Sequence, residues 1–183
     1  MRRPILLFFS CFILLCVTLK AQKGTNTINV QLEGTVPIYQ NDQGFGGFIR
    51  GLYGIGGNGQ LTISGGVSMF KLKDFAAKTQ ETTRLVPFLL GYKQNIGHFF
   101  IEPQVGLGEM GGKIASAGDY SRPSVAAVFG AVAVGYRINR ISAGMRIQTA
   151  HGIENSSAGM WHDKNFHYTS LYIGFDAFSK HRN

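Results

Sequence analysis

"VPFLLGYKQNIGHFFIEPQVGLG", residues 86–108, reads as two strands joined by a short turn. After the turn "QNIG", Phe99, Ile101, Pro103, Val105 and Leu107 alternate with Phe100, Glu102, Gln104 and Gly106. An alternation of period two gives a strand one apolar face and one polar or small face. Just before the turn stands an aromatic, Tyr92. Both features recur along the chain.

The aromatic returns at a regular interval. "LYGIG" around Tyr53, "LGYKQN" around Tyr92, "VGYRIN" around Tyr136 and "IGFDAF" around Phe175 place their aromatics 39, 44 and 39 residues apart. A propeller has a similar period but needs four strands in each unit. Each interval here has room for two, so four units give eight strands. The connections after the aromatics, "GGNGQ", "QNIG" and "RINR", are short and turn-like. The others are mostly long: "KLKDFAAKTQETT", "EMGGKIASAGDYSRP" and "HGIENSSAGMWHDKN", with "QNDQG" the brief exception.

Other strands alternate as the first does. Leu61, Ile63, Val67 and Met69 oppose Thr62, Ser64, Gly66 and Ser68, and Ile141, Ala143, Met145 and Ile147 oppose Ser142, Gly144, Arg146 and Gln148. Ile28, Val30 and Leu32 oppose Asn29, Gln31 and Glu33. The parity of strands two and six stays open; "VAAVFGAVAVGY" is apolar on both faces. The polar sets are rich in Gly, Ser and Gln with isolated charges, unlike the Lys/Glu-laden face of a soluble sheet. Each strand can supply the ~9–11 residues that a tilted membrane strand needs. The reading is an all-β, eight-stranded, antiparallel up-and-down transmembrane β-barrel, with its apolar set toward lipid, short periplasmic turns and longer extracellular loops. Tyr53, Tyr92, Tyr136 and Phe175 then form an aromatic girdle at the interface beside the short turns.

The ends and totals agree with export to a membrane. "MRRP", the apolar "ILLFFSCFILLCVTL" and "KAQ" have the three-part layout of a signal peptide, so residues 1–21 are expected to be cleaved and residues 22–183 to form the barrel domain. Cys11 and Cys16 leave with that segment, which removes disulfide and thiolate chemistry. Loss of Arg2, Arg3 and Lys20 lowers the formal charge from +8 to +5. The remaining basic residues are scattered, with no run that suggests nucleic acid. "GLGEMG", residues 106–111, matches G-x-G-x-x-G, but "KIASAGDYSRPS" behind it cannot start a helix, and "AAVFGAV" supplies no ribose-binding acid. No cofactor is expected.

The chain resembles the small eight-stranded outer-membrane barrels of Gram-negative bacteria, in particular the PorT-like outer-membrane β-barrel domain proteins. "NGQLTISGGVSMF", "VPFLLGYKQNIGHFFIEPQVGLG" and "AVAVGYRINRISAGMR" carry the resemblance, together with the export signal ending in "AQ". It implies a barrel fold over the whole mature chain, an outer-membrane location and no defining catalytic motif. One departure is the end of the chain. "YIGFDAF" is followed by "SKHRN", and Phe178 falls on the opposite parity from Leu171, Ile173 and Phe175, whereas such barrels tend to finish on an aromatic.

The expected function is a non-enzymatic outer-membrane barrel with a packed lumen, whose extracellular loops bind or display something. The alternatives are a lipid-modifying barrel enzyme and a secreted lipocalin-like barrel that binds an apolar ligand. Outer-membrane lipid is expected around the wall, Lys71, Lys73 and Lys78 could contact lipopolysaccharide phosphates but serve plain solubility as readily, and a monomer is expected. His151, His162, Asp163 and His167 match no metal-ligand spacing. His167 with Ser170 and Asp163 is a weak acyl-hydrolase set, since alternation puts Ser170 on the other face from His167. Inside, Glu33, Arg50, Glu102, Gln104, Arg146 and Gln148 are expected to form a structural network, with Glu33 opposite Arg50 when the first hairpin folds about "QNDQ".

Overall fold

Eight strands follow one another: β1 (Thr25–Pro37), β2 (Gly44–Gly56), β3 (Gly59–Asp74), β4 (Thr79–Ile96), β5 (Phe99–Ala115), β6 (Tyr120–Ile138), β7 (Ile141–Gly152) and β8 (Asn165–His181). Each pairs antiparallel with the next, and β1 pairs with β8, so the sheet closes into a barrel without an edge. The computed structural model describes residues 25–38, 43–74, 79–115, 120–153 and 165–181. The expected signal peptide, residues 1–21, lies outside the described residues.

Alternation sorts the side chains as the sequence requires. Leu32, Leu61, Ile63, Ile101, Val105, Met145, Ile147 and Leu171 are exposed on the outer wall, while Gln31, Glu33, Thr62, Ser64, Glu102, Gln104, Arg146 and Gln148 are buried inside. The two open parities are resolved. In β2 Phe45, Ile49 and Tyr53 point out and Phe48, Arg50 and Leu52 point in; in β6 Val128, Val132, Val134 and Tyr136 point out and Val125, Ala127, Phe129, Ala131 and Ala133 point in. An apolar exterior around a charged interior is the reverse of a soluble barrel.

The short turns form where glycine and asparagine supply positive φ. Gly57 and Asn58 have φ of 57° and 64°, which suits a two-residue hairpin loop, and Gly97 and Asn139 take the same region at 63° and 52°. At the other end, two of the expected long loops are largely strand. Lys71 pairs with Thr82 and Asp74 with Thr79, while Glu109 pairs with Ala126 and Ile114 with Tyr120. Backbone pairing carries on past the apolar belt because an unpaired N–H or C=O gains from a neighbouring strand whatever the side chains are. The connection between β7 and β8 covers the longer interval, from Ile153 to Asn165.

A register shift corrects the reading of the C-terminal strand. β1 pairs Ile28 with Phe178 but Asn29 with Asp176, so β8 gains one residue there. That extra residue flips the parity beyond it. Phe178 consequently sits beside outward-facing Ile28 and is exposed on the wall with Phe175, not turned inward.

Candidate functional site

The lumen gathers the charged residues at mid-height. Arg50 on β2 forms an ion pair with Glu102 on β5, both buried. The same Glu102 oxygen accepts hydrogen bonds from Thr62 Oγ1 at 2.7 Å and Gln104 Nε2 at 2.8 Å. Across the barrel, Arg146 Nη1 on β7 lies 3.2 Å from Glu33 Oε2 on β1, and Ser68 Oγ donates to Glu33 Oε1 at 2.8 Å. Gln31 links the two pairs: its Oε1 accepts from Arg146 Nη2 at 2.9 Å and from Arg50 Nη1 at 3.4 Å. The Arg146 guanidinium also lies over the Phe48 ring, 4.6 Å from its centroid.

Glu33 therefore does not face Arg50. The first hairpin pairs Glu33 with Gly46 and Asn29 with Arg50, which moves Arg50 four residues down the strand from the expected register. Four residues are about 13 Å of strand, beyond reach of an ion pair. The observed register suits the carboxylate, because a Cβ on Gly46 would stand 2.7 Å from Glu33 Oε1 and 2.8 Å from Ser68 Oγ. Gln148 is buried but stands apart: neither amide atom has a hydrogen-bond partner among the described residues. Gln104, in contrast, joins the network through Glu102.

Above this layer the lumen is apolar. Phe48, Phe70, Leu85, Leu89, Met110, Val125, Phe129 and Tyr168 form one buried cluster toward the end where the long connections lie. Phe70 packs edge-on against Phe166 and Tyr168, with centroids 4.9 and 5.0 Å apart. Below the charged layer, Asp176 accepts from Asn29 Nδ2 at 2.8 Å and pairs with Arg137 at 2.6 Å, and the Lys93 ammonium lies 3.8 Å from the centroid of the Phe100 ring.

On the outside, Tyr53, Tyr136 and Phe175 are exposed beside the short turns, and Tyr92, on the same face of its strand, is half-buried with its hydroxyl donating to Gln94. Phe99 packs edge-on against Tyr136 at 4.9 Å. Of the hydrolase candidates, Ser170 is buried in the lumen, whereas His167 belongs to the outward set of β8, so the two do not form a dyad. His151 is hydrogen-bonded to Asn165, and His162 and Asp163 lie outside the described residues. Lys71 is exposed on the outer wall; Lys73 pairs through its backbone with Gln80, and Lys78 lies outside the described residues.

Neither a protein-family model nor a curated protein matches the sequence. Solved structures do resemble the fold. One is Ail, the attachment invasion locus protein of Yersinia pestis, in complex with the heparin analogue sucrose octasulfate; it has a TM-score of 0.58 at 10% identity, over 85% of this chain and 99% of that one. Neisserial surface protein A gives 0.56 at 9% identity, over 85% and 98%. The N-terminal β-barrel domain of Pseudomonas aeruginosa OprF gives 0.53 at 13% identity, over 85% and 98%. At such identities the likeness is one of fold, and the fold of this chain is the closed eight-stranded antiparallel barrel of small outer-membrane proteins.

Proposed function

We propose that the chain is a non-enzymatic barrel of the bacterial outer membrane, akin to the PorT-like proteins, with a packed lumen and with its loop end turned outward to bind or display. The observation that carries this reading is the inversion of faces: an apolar wall on every strand around a core holding two ion pairs. In water such a wall would be an aggregation surface far larger than a soluble monomer exposes. In hydrocarbon it is the required solvent face, and closure leaves no strand edge unsatisfied. The lumen layers serve as structural packing, and the aromatics beside the short turns serve as the periplasmic interface girdle.

Anionic groups outside are the partners that the loop end favours. Lys71 and Arg84 are exposed on the outer wall toward the upper ends of β3 and β4, Lys71 above Met69 and Arg84 level with Met69 and above Val86 and Phe88. A cation over an apolar belt suits the phosphates of lipopolysaccharide over its acyl chains. The sulfated ligand in the Ail structure supports the idea that this fold accommodates polyanions. Fractionation tests the placement. The protein should sediment with outer membranes and should run at different positions on a gel before and after boiling. Recovery as a detergent-free soluble monomer would overturn the reading.

A further inference from the structure

The outer wall is not uniformly convex. Between β6 and β8, Ala143 on β7 stands between Tyr136 on one side and Ile173 on the other, and its single methyl leaves a hollow of about 530 Å³. Tyr136, Ile138, Ile141 and Phe175 form the walls, and Asn139 and Arg140 of the β6–β7 turn close its lower end. A second hollow of about 870 Å³ begins at the same Ala143 and continues past Met145, Leu171 and Leu32 to Gly34 and Phe45. Gly34 faces outward with nothing within 4 Å of where its Cβ would be. The two hollows form one trough.

The trough follows a row of register partners across the sheet, Tyr136–Ala143–Ile173–Leu32, and ends on β2 at Phe45 and Gly46. Four strand spacings make it about 19 Å long. With strands tilted about 35–45°, a chain laid along it climbs about 11–14 Å from the turn. One leaflet of hydrocarbon is about 15 Å deep. The trough is thus the size of one acyl chain that starts at the periplasmic interface.

Charge at its foot selects the headgroup. Arg137 is engaged with Asp176 and with the Asn139 carbonyl oxygen, and Asp176 is further held by Asn29, so that carboxylate is neutralised from inside. Arg140 has its backbone oxygen fixed by the Asp176 N–H at 2.8 Å, yet its exposed guanidinium has no partner among the described residues. A fixed turn that presents a free guanidinium beside an aromatic-walled apolar hollow is complementary to a phosphodiester carrying an acyl chain.

We propose that this trough seats one anionic phospholipid of the periplasmic leaflet, with its phosphate on Arg140 and one acyl chain along Ala143. The seat rests on the placement proposed above. The full mature chain, refolded and selected for its heat-dependent gel shift, would be given equal amounts of phosphatidylglycerol and phosphatidylcholine in micelles and read by native mass spectrometry. One phosphatidylglycerol should be retained in preference. Arg140→Gln should weaken that preference about fivefold, the scale of one basic side chain at an anionic surface. Ala143→Leu, which fills the hollow, should reduce retention of both lipids, whereas Gly65→Leu, the same new side chain on the opposite wall, should leave retention unchanged. Equal retention of the two lipids by folded wild type, or an unchanged preference in Arg140→Gln, overturns the seat alone. A chain that stays soluble and shows no heat-dependent shift overturns the placement, and the seat with it.

Discussion

Replacing Arg50 by leucine should be among the most damaging single changes in the barrel. Glu102 is fully buried and its paired oxygen has three donors: Arg50, Thr62 and Gln104. Of these donors only Arg50 is charged, and the buried Lys93 ammonium acts on the carboxylate more weakly. Without it a carboxylate remains in the lumen with two neutral donors, and breaking a buried pair this way costs about 3–5 kcal/mol. Adding Glu102→Gln removes the stranded charge and keeps a carbonyl oxygen for Thr62 and Gln104, so the double variant should recover part of the loss. The coupling between the two sites should fall at about 1–3 kcal/mol. The companion cycle, Arg50 with Glu33, should show clearly less, because Glu33 is held by Arg146 and Ser68 and meets Arg50 only through Gln31. Urea titration of the barrel folded in vesicles, followed by circular dichroism and by the gel shift, measures both cycles. Coupling to Glu33 equal to or larger than coupling to Glu102 would refute the pairing and, with it, the register of the first hairpin.

Gly46→Ala should destabilise by about 1–3 kcal/mol in the same titration, since the new methyl meets the Glu33 carboxylate and the Ser68 hydroxyl; wild-type stability would mean that the carboxylate sits elsewhere. Ile147→Arg, on the outer wall at mid-strand, should cost about 2–4 kcal/mol in a bilayer, and a neutral result would count against lipid contact. A cysteine replacing Ile153 should react with an impermeant thiol reagent on intact cells, whereas one replacing His98 in a short turn should be protected until the outer membrane is opened; the reverse pattern overturns the orientation. In planar bilayers the barrel should pass little current, because side chains fill the interior of an eight-stranded barrel, and a large steady conductance would show an open lumen.

Much of this architecture was legible because it depends on residue type at period two. Leu61, Ile63, Ile101, Val105 and Ile147 are outward for the same reason that Glu102 and Arg146 are inward, and the repeated aromatics counted the hairpins correctly. What escaped depended on register, which alternation does not encode. Glu33 and Arg50 have the right parity to meet, but pairing across Gly46 separates them. Phe178 has the wrong parity until the shift at Ile28/Asn29 corrects it. The apolar upper lumen escaped for another reason: Leu85, Leu89, Val125 and Phe129 stand on strands whose outer faces are also apolar, so no alternation marked them as inward. The polar stretches around Lys71 and Glu109 read as loops by composition, yet they are strands because the backbone pairs there without help from side chains.

These failures point to where the register information lies. In a soluble sheet, apolar residues fix register because only one face is dry. In the proposed membrane setting the wall meets hydrocarbon that accepts any apolar side chain, so a slip between two outward positions would cost the wall little. The lumen is less forgiving. A one-residue slip of β2, β5 or β7 would turn Arg50, Glu102 or Arg146 outward, where in a bilayer a midplane arginine costs about 2–4 kcal/mol and a carboxylate somewhat less. A two-residue slip would keep them inside but pull Arg146 off Glu33 and off the Phe48 ring, and would move Gly46 away from the carboxylate that needs its missing Cβ. The buried pairs sit on β1, β2, β5 and β7, Gln31 ties them together, and Thr62 and Ser68 on β3 hold the two carboxylates, so one connected set of side chains spans five of the eight strands. We infer that the network contributes to specificity of pairing more than to net stability, which a buried ion pair supplies only weakly; the two mutant cycles above test this.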